Sequence, residues 1–216
     1  MNIMNHCKTL IVIALACGLL LAASGLSAAD DQSPGLIGKR YYGVDLSLEH
    51  YHSARFDNAA GGMGTVNLPF AAGFDAAIAY GYSHLTGTDY SRDNNALSAS
   101  VIAYSQDEYG KPYLSATLGE DWNSDSFFGV KTNNDGGYWA LGTGLEVPFG
   151  QLAAVNYGIS YSDSFNSNGR NPTWRYGVQG NYWFTPRISG IVSVSYNQIR
   201  HAPDSLLYTL GVRVLF

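Results

Sequence analysis

The chain has 216 residues, with 12 Lys and Arg against 17 Asp and Glu, a formal net charge of -5, 25 glycines and 16 tyrosines. Charged residues make up only 13%, against about a quarter in an ordinary soluble domain, so something other than water covers much of the surface. The acidic balance also argues against a nucleic-acid partner, whose phosphates select basic surfaces.

Lys8 is followed by the apolar run TLIVIALACGLLLAASGL and then by small residues, Ser27 and Ala29, before Asp30. One positive charge, an apolar core and a small-x-small exit predict a secretory signal peptide over residues 1–29, cut after Ala29. An uncleaved membrane anchor and lipidation at Cys17 compete with this. The small-residue exit and acidic start favour cleavage, and Ala14 stands where lipidation prefers a large aliphatic. Cleavage removes both cysteines, Cys7 and Cys17, which excludes disulfides, thiolate metal sites and cysteine nucleophiles from the mature chain. It also removes Lys8, leaving 11 basic against 17 acidic residues, a net charge of 11 minus 17, or minus six. No second apolar run of spanning length follows. Residues 30–38 are then a short periplasmic N-terminal segment, and 39–216 a single barrel domain.

From Lys39 onward, apolar and small or polar residues alternate with a period of two, and turn signals separate the runs. The first strand, RYYGVDLSLEHY, sets Tyr42, Val44, Leu46 and Leu48 against Gly43, Asp45, Ser47 and Glu49. The second, GTVNLPF, and the third, FDAAIAYGYSH, repeat the rule with Val66, Leu68, Ile78, Tyr80 and Tyr82 on the apolar side. Leu97 and Val101 mark the fourth strand, Leu114 and Leu118 the fifth, Trp139, Leu141 and Leu145 the sixth, and Tyr157 and Ile159 the seventh. Trp174, Tyr176 and Val178 mark the eighth, and Val192 and Val194 the ninth. The chain ends on the tenth, where Tyr208, Leu210, Val212, Val214 and Phe216 share one face. Ten strands are expected, or eight if GTVNLPF and one neighbour pair poorly.

Connections alternate in length. Those after strands two, six and eight (PFAAGF, PFGQL, FTPRI) are tight; those after odd strands (HSARFDNAAGG, LTGTDYSRDNN, NSDSFFGVKTNNDGG, DSFNSNGRNPTW, IRHAPDS) are longer and polar. An even strand count, tight turns at one end and both termini at that end are the requirements of a transmembrane antiparallel up-and-down β-barrel. A soluble lipocalin-like barrel shares the period but inverts the faces. The apolar face here is nearly free of charge, whereas the other carries Asp45, Glu49, Asp75, Glu146, Arg175 and Arg213 among Gly, Ser, Ala and Asn, so the apolar face is assigned outward. Trp122, Trp139 and Trp174 near the long-loop ends and Phe184 near a tight turn are expected to form aromatic girdles.

The terminal run Tyr208, Leu210, Val212, Val214, Phe216 resembles the last strand of bacterial outer-membrane β-barrel proteins, and the whole pattern is similar to small porin-like or opacity-protein-like barrels. The resemblance implies recognition of that run by the barrel assembly machinery, residence in a bacterial outer membrane, and contact with outer-membrane lipid and lipopolysaccharide.

Closure brings Arg213 beside Asp45 and Glu49, which predicts a structural ion pair at the seam or, alternatively, a charge-lined conductance path. Glu146 and Arg175 are a second candidate pair across the lumen. A barrel-embedded hydrolase would draw on His50, His52, Ser53, His84, Asp89 and Asp93, but no catalytic spacing surrounds a serine, and only His50 and His52 suggest a metal pattern. The expectation is a non-enzymatic membrane protein with no cofactor, contributing to envelope structure or a narrow passive pore for small solutes. Polar loops displayed on a rigid scaffold are the alternative, as an adhesive or recognition surface for ligands outside the cell.

Overall fold

The computed structural model describes residues 33–53, 56–165 and 172–216; the expected signal peptide, its cut after Ala29 and both cysteines lie outside them. Ten strands follow in chain order: β1 (Tyr41–Tyr51), β2 (Phe56–Ala71), β3 (Phe74–Gly87), β4 (Tyr90–Tyr104), β5 (Lys111–Phe127), β6 (Val130–Phe149), β7 (Ala153–Ser164), β8 (Thr173–Thr185), β9 (Ile188–Ile199) and β10 (Ser205–Leu215). Each pairs antiparallel with its sequence neighbours, and β10 closes on β1 with Tyr41 opposite Leu215 and Tyr51 opposite Ser205. The architecture is therefore a closed ten-stranded up-and-down barrel. Closure is what a strand as apolar as β10 requires, because an open edge would leave its N–H and C=O groups without partners.

Burial is inverted relative to a water-soluble protein. Val44, Leu46, Leu114 and Leu210 point outward and are 64–66% exposed, whereas Asp45, Asn67, Asp75, Lys111, Glu146 and Arg213 are buried inside. Among the described residues the buried apolar side chains are few, and Leu36, Trp183 and Ile191 cluster at the tight-turn end. An exposed apolar band around a polar interior is the pattern expected of a wall that faces lipid.

Aromatic rings collect at two levels of that wall. Tyr161 packs against Trp139 and Trp174 at centroid distances of 5.6 and 5.0 Å. At the other end Tyr182 meets Phe184, and Phe216 stacks on Tyr42 at 4.1 Å. Trp174 and Phe184 lie ten residues apart on β8, roughly 33 Å along a strand. A tilt of about 40° reduces this to about 25 Å, the height of a barrel's apolar band. Trp122 sits farther out on β5, opposite Asn95 and Asp135.

The long polar connections are largely strand rather than loop. LTGTDYSRDNN reduces to a turn at Thr88 and Asp89, and NSDSFFGVKTNNDGG to one at Phe128 and Gly129, with Asn123 still paired to Asn134. Outside an apolar layer both faces of a strand meet water, so alternation disappears while backbone pairing continues. The β5–β6 hairpin consequently continues as paired strands to a tip that exposes Phe128 at 70%. Phe128 (φ 48) and Gly129 (φ 81) both adopt the left-handed region, as in a type I′ turn. Phe128 N–H donates to Asp89 O of the neighbouring hairpin at 3.1 Å. A bulky residue strains this conformation whereas Asn tolerates it. Phe128→Asn is expected to stabilise the tip by about 1 kcal/mol, read as about fivefold slower amide exchange at Phe127 and Val130, the pair that closes the turn; unchanged exchange would refute the strain.

Candidate functional site

The tight-turn end of the lumen is occupied by the chain's own N-terminal segment. Ser33–Pro34–Gly35–Leu36–Ile37–Gly38 enters the barrel before β1, and residues 34–38 are buried. Leu36 packs on Trp183 and Ile191, with Tyr41 and Leu215 against the same cluster. Such aliphatic side chains gain by leaving water, and the inward-facing Trp183 supplies the largest surface for them.

Polar groups of four strands hold the segment's backbone. Glu146 Oε2 of β6 accepts from Leu36 N–H at 2.8 Å, and its Oε1 from Ile37 N–H at 3.3 Å. Asp75 Oδ2 of β3 accepts from Gly38 N–H at 2.8 Å and from Asn67 Nδ2 of β2 at 3.1 Å. Lys111 Nζ of β5 donates to Ile37 O at 2.6 Å. Asn181 Nδ2 and Trp183 Nε1 of β8 both donate to Pro34 O, at 2.8 and 2.6 Å. Backbone groups removed from water need such partners, and carboxylate acceptors make the stronger bonds. The sequence favours this docking locally: Pro34 brings no N–H, Gly38 takes a φ of 88°, and a Cβ at Gly35 would overlap the Glu146 carboxylate.

The seam lies beside this stopper. Arg213 forms a two-pronged pair with Asp45, Nη1 to Oδ1 at 2.5 Å and Nη2 to Oδ2 at 2.9 Å, and both side chains are buried. The register explains the fit. Arg213 is opposite Gly43 and Asp45 opposite Gly211, so each charged side chain lies over the other strand's glycine. A Cβ at Gly43 would sit 2.8 Å from Arg213 Nε, and one at Gly211 would overlap Asp45 Oδ1.

The other expected residues separate. Glu49 accepts from Asn197 Nδ2 at 2.9 Å, from Ser205 Oγ at 2.5 Å and from Tyr51 OH at 3.0 Å, rather than from Arg213. Glu146 and Arg175 do not meet. Arg175 is level with Ser160, and Ser160 with Gly142, four residues along β6 from Glu146, a displacement of roughly 13 Å. Arg175 instead donates from Nε to Asn197 Oδ1 at 2.8 Å.

Among the described residues the histidines assemble no catalytic group. His50 Nδ1 contacts Asn58 Oδ1 and His84 Nδ1 contacts Asp93 Oδ1, each at 2.8 Å. Asp89 lies in the β3–β4 turn, and His52 meets His50 edge-on at 6.0 Å. No cluster of metal-ligating side chains occurs among the described residues.

Lys111 and the stopper's apolar pair were not singled out by sequence reasoning. Lys111 falls at the end of the link SQDEYGK, where its inward direction is not readable. Leu36 and Ile37 carry a weak signal, since two adjacent aliphatics are out of place in a segment read as periplasmic and water-exposed.

No protein-family model and no curated relative matches the chain. Solved structures do resemble it. The translocator domain of the autotransporter NalP from Neisseria meningitidis is 11% identical with a TM-score of 0.52, over 97% of this chain and 98% of that one. The β domain of the Bordetella autotransporter BrkA is 12% identical with a TM-score of 0.51, over 82% of this chain and 99% of that one. The outer membrane protease OmpT from Escherichia coli is 12% identical with a TM-score of 0.48, over 90% of this chain and 100% of that one. At such identities the likeness is one of fold, and by fold the chain is a transmembrane β-barrel of the outer-membrane type.

Proposed function

We propose that this chain is an integral, non-enzymatic β-barrel of a bacterial outer membrane, stoppered at its periplasmic end, that serves the envelope as a closed structural element rather than an open pore. The observation that carries this is the docking of residues 34–38 across the lumen on Glu146, Asp75, Lys111, Asn181 and Trp183. The exposed apolar band and its two aromatic levels support residence in lipid, with lipopolysaccharide around the outer rim. Export through a cleaved signal peptide, and recognition of Tyr208, Leu210, Val212, Val214 and Phe216 by the barrel assembly machinery, belong to the same proposal.

Planar-bilayer recording of the refolded chain, with insertion verified by heat-modifiable gel mobility, tests it. A silent membrane is expected. Discrete, reproducible current steps from the unmodified protein would overturn the closed reading in favour of a narrow passive pore.

A second role, surface recognition, is favoured by the β5–β6 hairpin, whose tip exposes Phe127, Phe128 and Val130. Apolar side chains held outside the lipid layer are costly unless something covers them.

A further inference from the structure

Above the stopper the lumen contains a cavity of about 240 Å³ between β5, β6, β7, β8 and β9. Its wall is built from hydroxyls and amides, among them Tyr113, Asn156, Ser160, Gln179, Ser193 and Ser195, together with one cation, Arg175. Tyr113 OH is held by Asn156 Oδ1 at 2.9 Å, which fixes two of these groups in place. Arg175 is likewise fixed through a single atom: Nε donates to Asn197 Oδ1, and Asn197 Nδ2 in turn donates to Glu49. Its Nη1 and Nη2 have no protein partner among the described residues. Arg92 of the lumen, in contrast, is paired with Asp125, Nε to Oδ1 at 2.5 Å, and Arg213 with Asp45.

We propose that this cavity is a binding cup for a small carboxylated polyol, of the size of one sugar-acid ring, with Arg175 as the carboxylate anchor. The planar guanidinium offers its two remaining nitrogens as a fork, and that geometry favours a carboxylate over a neutral group. Serine hydroxyls and the amides of Asn156 and Gln179 both donate and accept, which suits ligand hydroxyls. The cup is smaller than the about 300–1,000 Å³ of sites for drug-sized ligands, so it takes one ring rather than a chain. The inference rests on the stoppered lumen, which makes the space a cup instead of a conduit.

The test is a heteronuclear NMR titration of the refolded full barrel in detergent micelles, with D-glucuronate as probe and D-glucose and acetate as controls. Glucuronate is expected to bind in the millimolar range and to shift the Arg175 side-chain resonance, with both controls binding at least about tenfold more weakly. Arg175→Gln is expected to weaken glucuronate at least about tenfold while heat-modifiable mobility is retained. Ser160→Leu, which fills the cup and leaves the charge in place, is expected to abolish binding. Glucuronate that fails to bind a folded, non-conducting barrel overturns the cup and leaves the closed-barrel reading standing. Binding that survives both substitutions, or glucose binding as tightly, overturns the assignment to Arg175. A wild-type barrel that conducts refutes the stopper independently of whether the probe binds.

Discussion

Glu146→Ala is expected to turn a silent barrel into one that conducts intermittently. Glu146 accepts the N–H groups of Leu36 and Ile37 at the narrow end of the lumen, and alanine leaves both without that acceptor. A buried unsatisfied N–H costs about 1–3 kcal/mol. A combined loss of about 3 kcal/mol raises the undocked population of the stopper roughly a hundredfold. Planar-bilayer recording is expected to show brief openings in Glu146→Ala and long-lived ones after deletion of residues 33–38, since Trp183, Asn181 and Lys111 still hold the segment in the point variant. Glu146→Gln retains one acceptor and should fall between wild type and Glu146→Ala. Equal silence in the deletion variant, with folding verified by heat-modifiable mobility, would show that the barrel wall itself blocks the lumen.

The second large effect is at the seam. Removing one member of the Asp45–Arg213 pair strands a buried charge in the other, which costs about 3–5 kcal/mol. Asp45→Asn and Arg213→Met are each expected to lower the temperature at which the folded form is lost on a heat-modifiability gel. The double variant is expected to recover most of that loss, because an apolar or neutral pair of similar volume leaves no uncompensated charge. Additive losses in the double variant would mean that the two side chains act separately. The pair joins the first strand to the last, so its loss should promote opening at β1–β10 rather than at the longer β5–β6 ladder.

These expectations differ in how much of them the sequence carried. Alternation located ten strands, and the near absence of charge on the apolar face assigned that face outward, because a lipid-facing wall against a polar lumen produces maximum contrast between neighbouring side chains. Arg213 could be placed near Asp45 from one further requirement, that the last strand close on the first. The same rule failed wherever the contrast was lost. NSDSFFGVKTNNDGG has no apolar face, yet its backbone pairs as far as Phe127 and Val130, since ladder hydrogen bonds do not depend on side-chain alternation. The meeting of Glu146 with Arg175 failed for a related reason. Strand direction and facing are written in the sequence, but the stagger between β6 and β8 follows from barrel closure and tilt.

By itself the sequence determined the barrel, its apolar exterior and the polar character of its lumen, and it favoured ten strands while leaving eight open. These follow from local periodicity, which each strand displays independently. Only the tertiary structure decided that residues 34–38 dock inside the lumen, that Glu146 and Lys111 serve that segment, and that Arg175 lines a cavity with its Nη1 and Nη2 unpartnered among the described residues. Each of these unites groups far apart in the chain, Glu146 lying 110 residues from Leu36. Such a meeting depends on the register and closure of all ten strands together, and no local pattern encodes it.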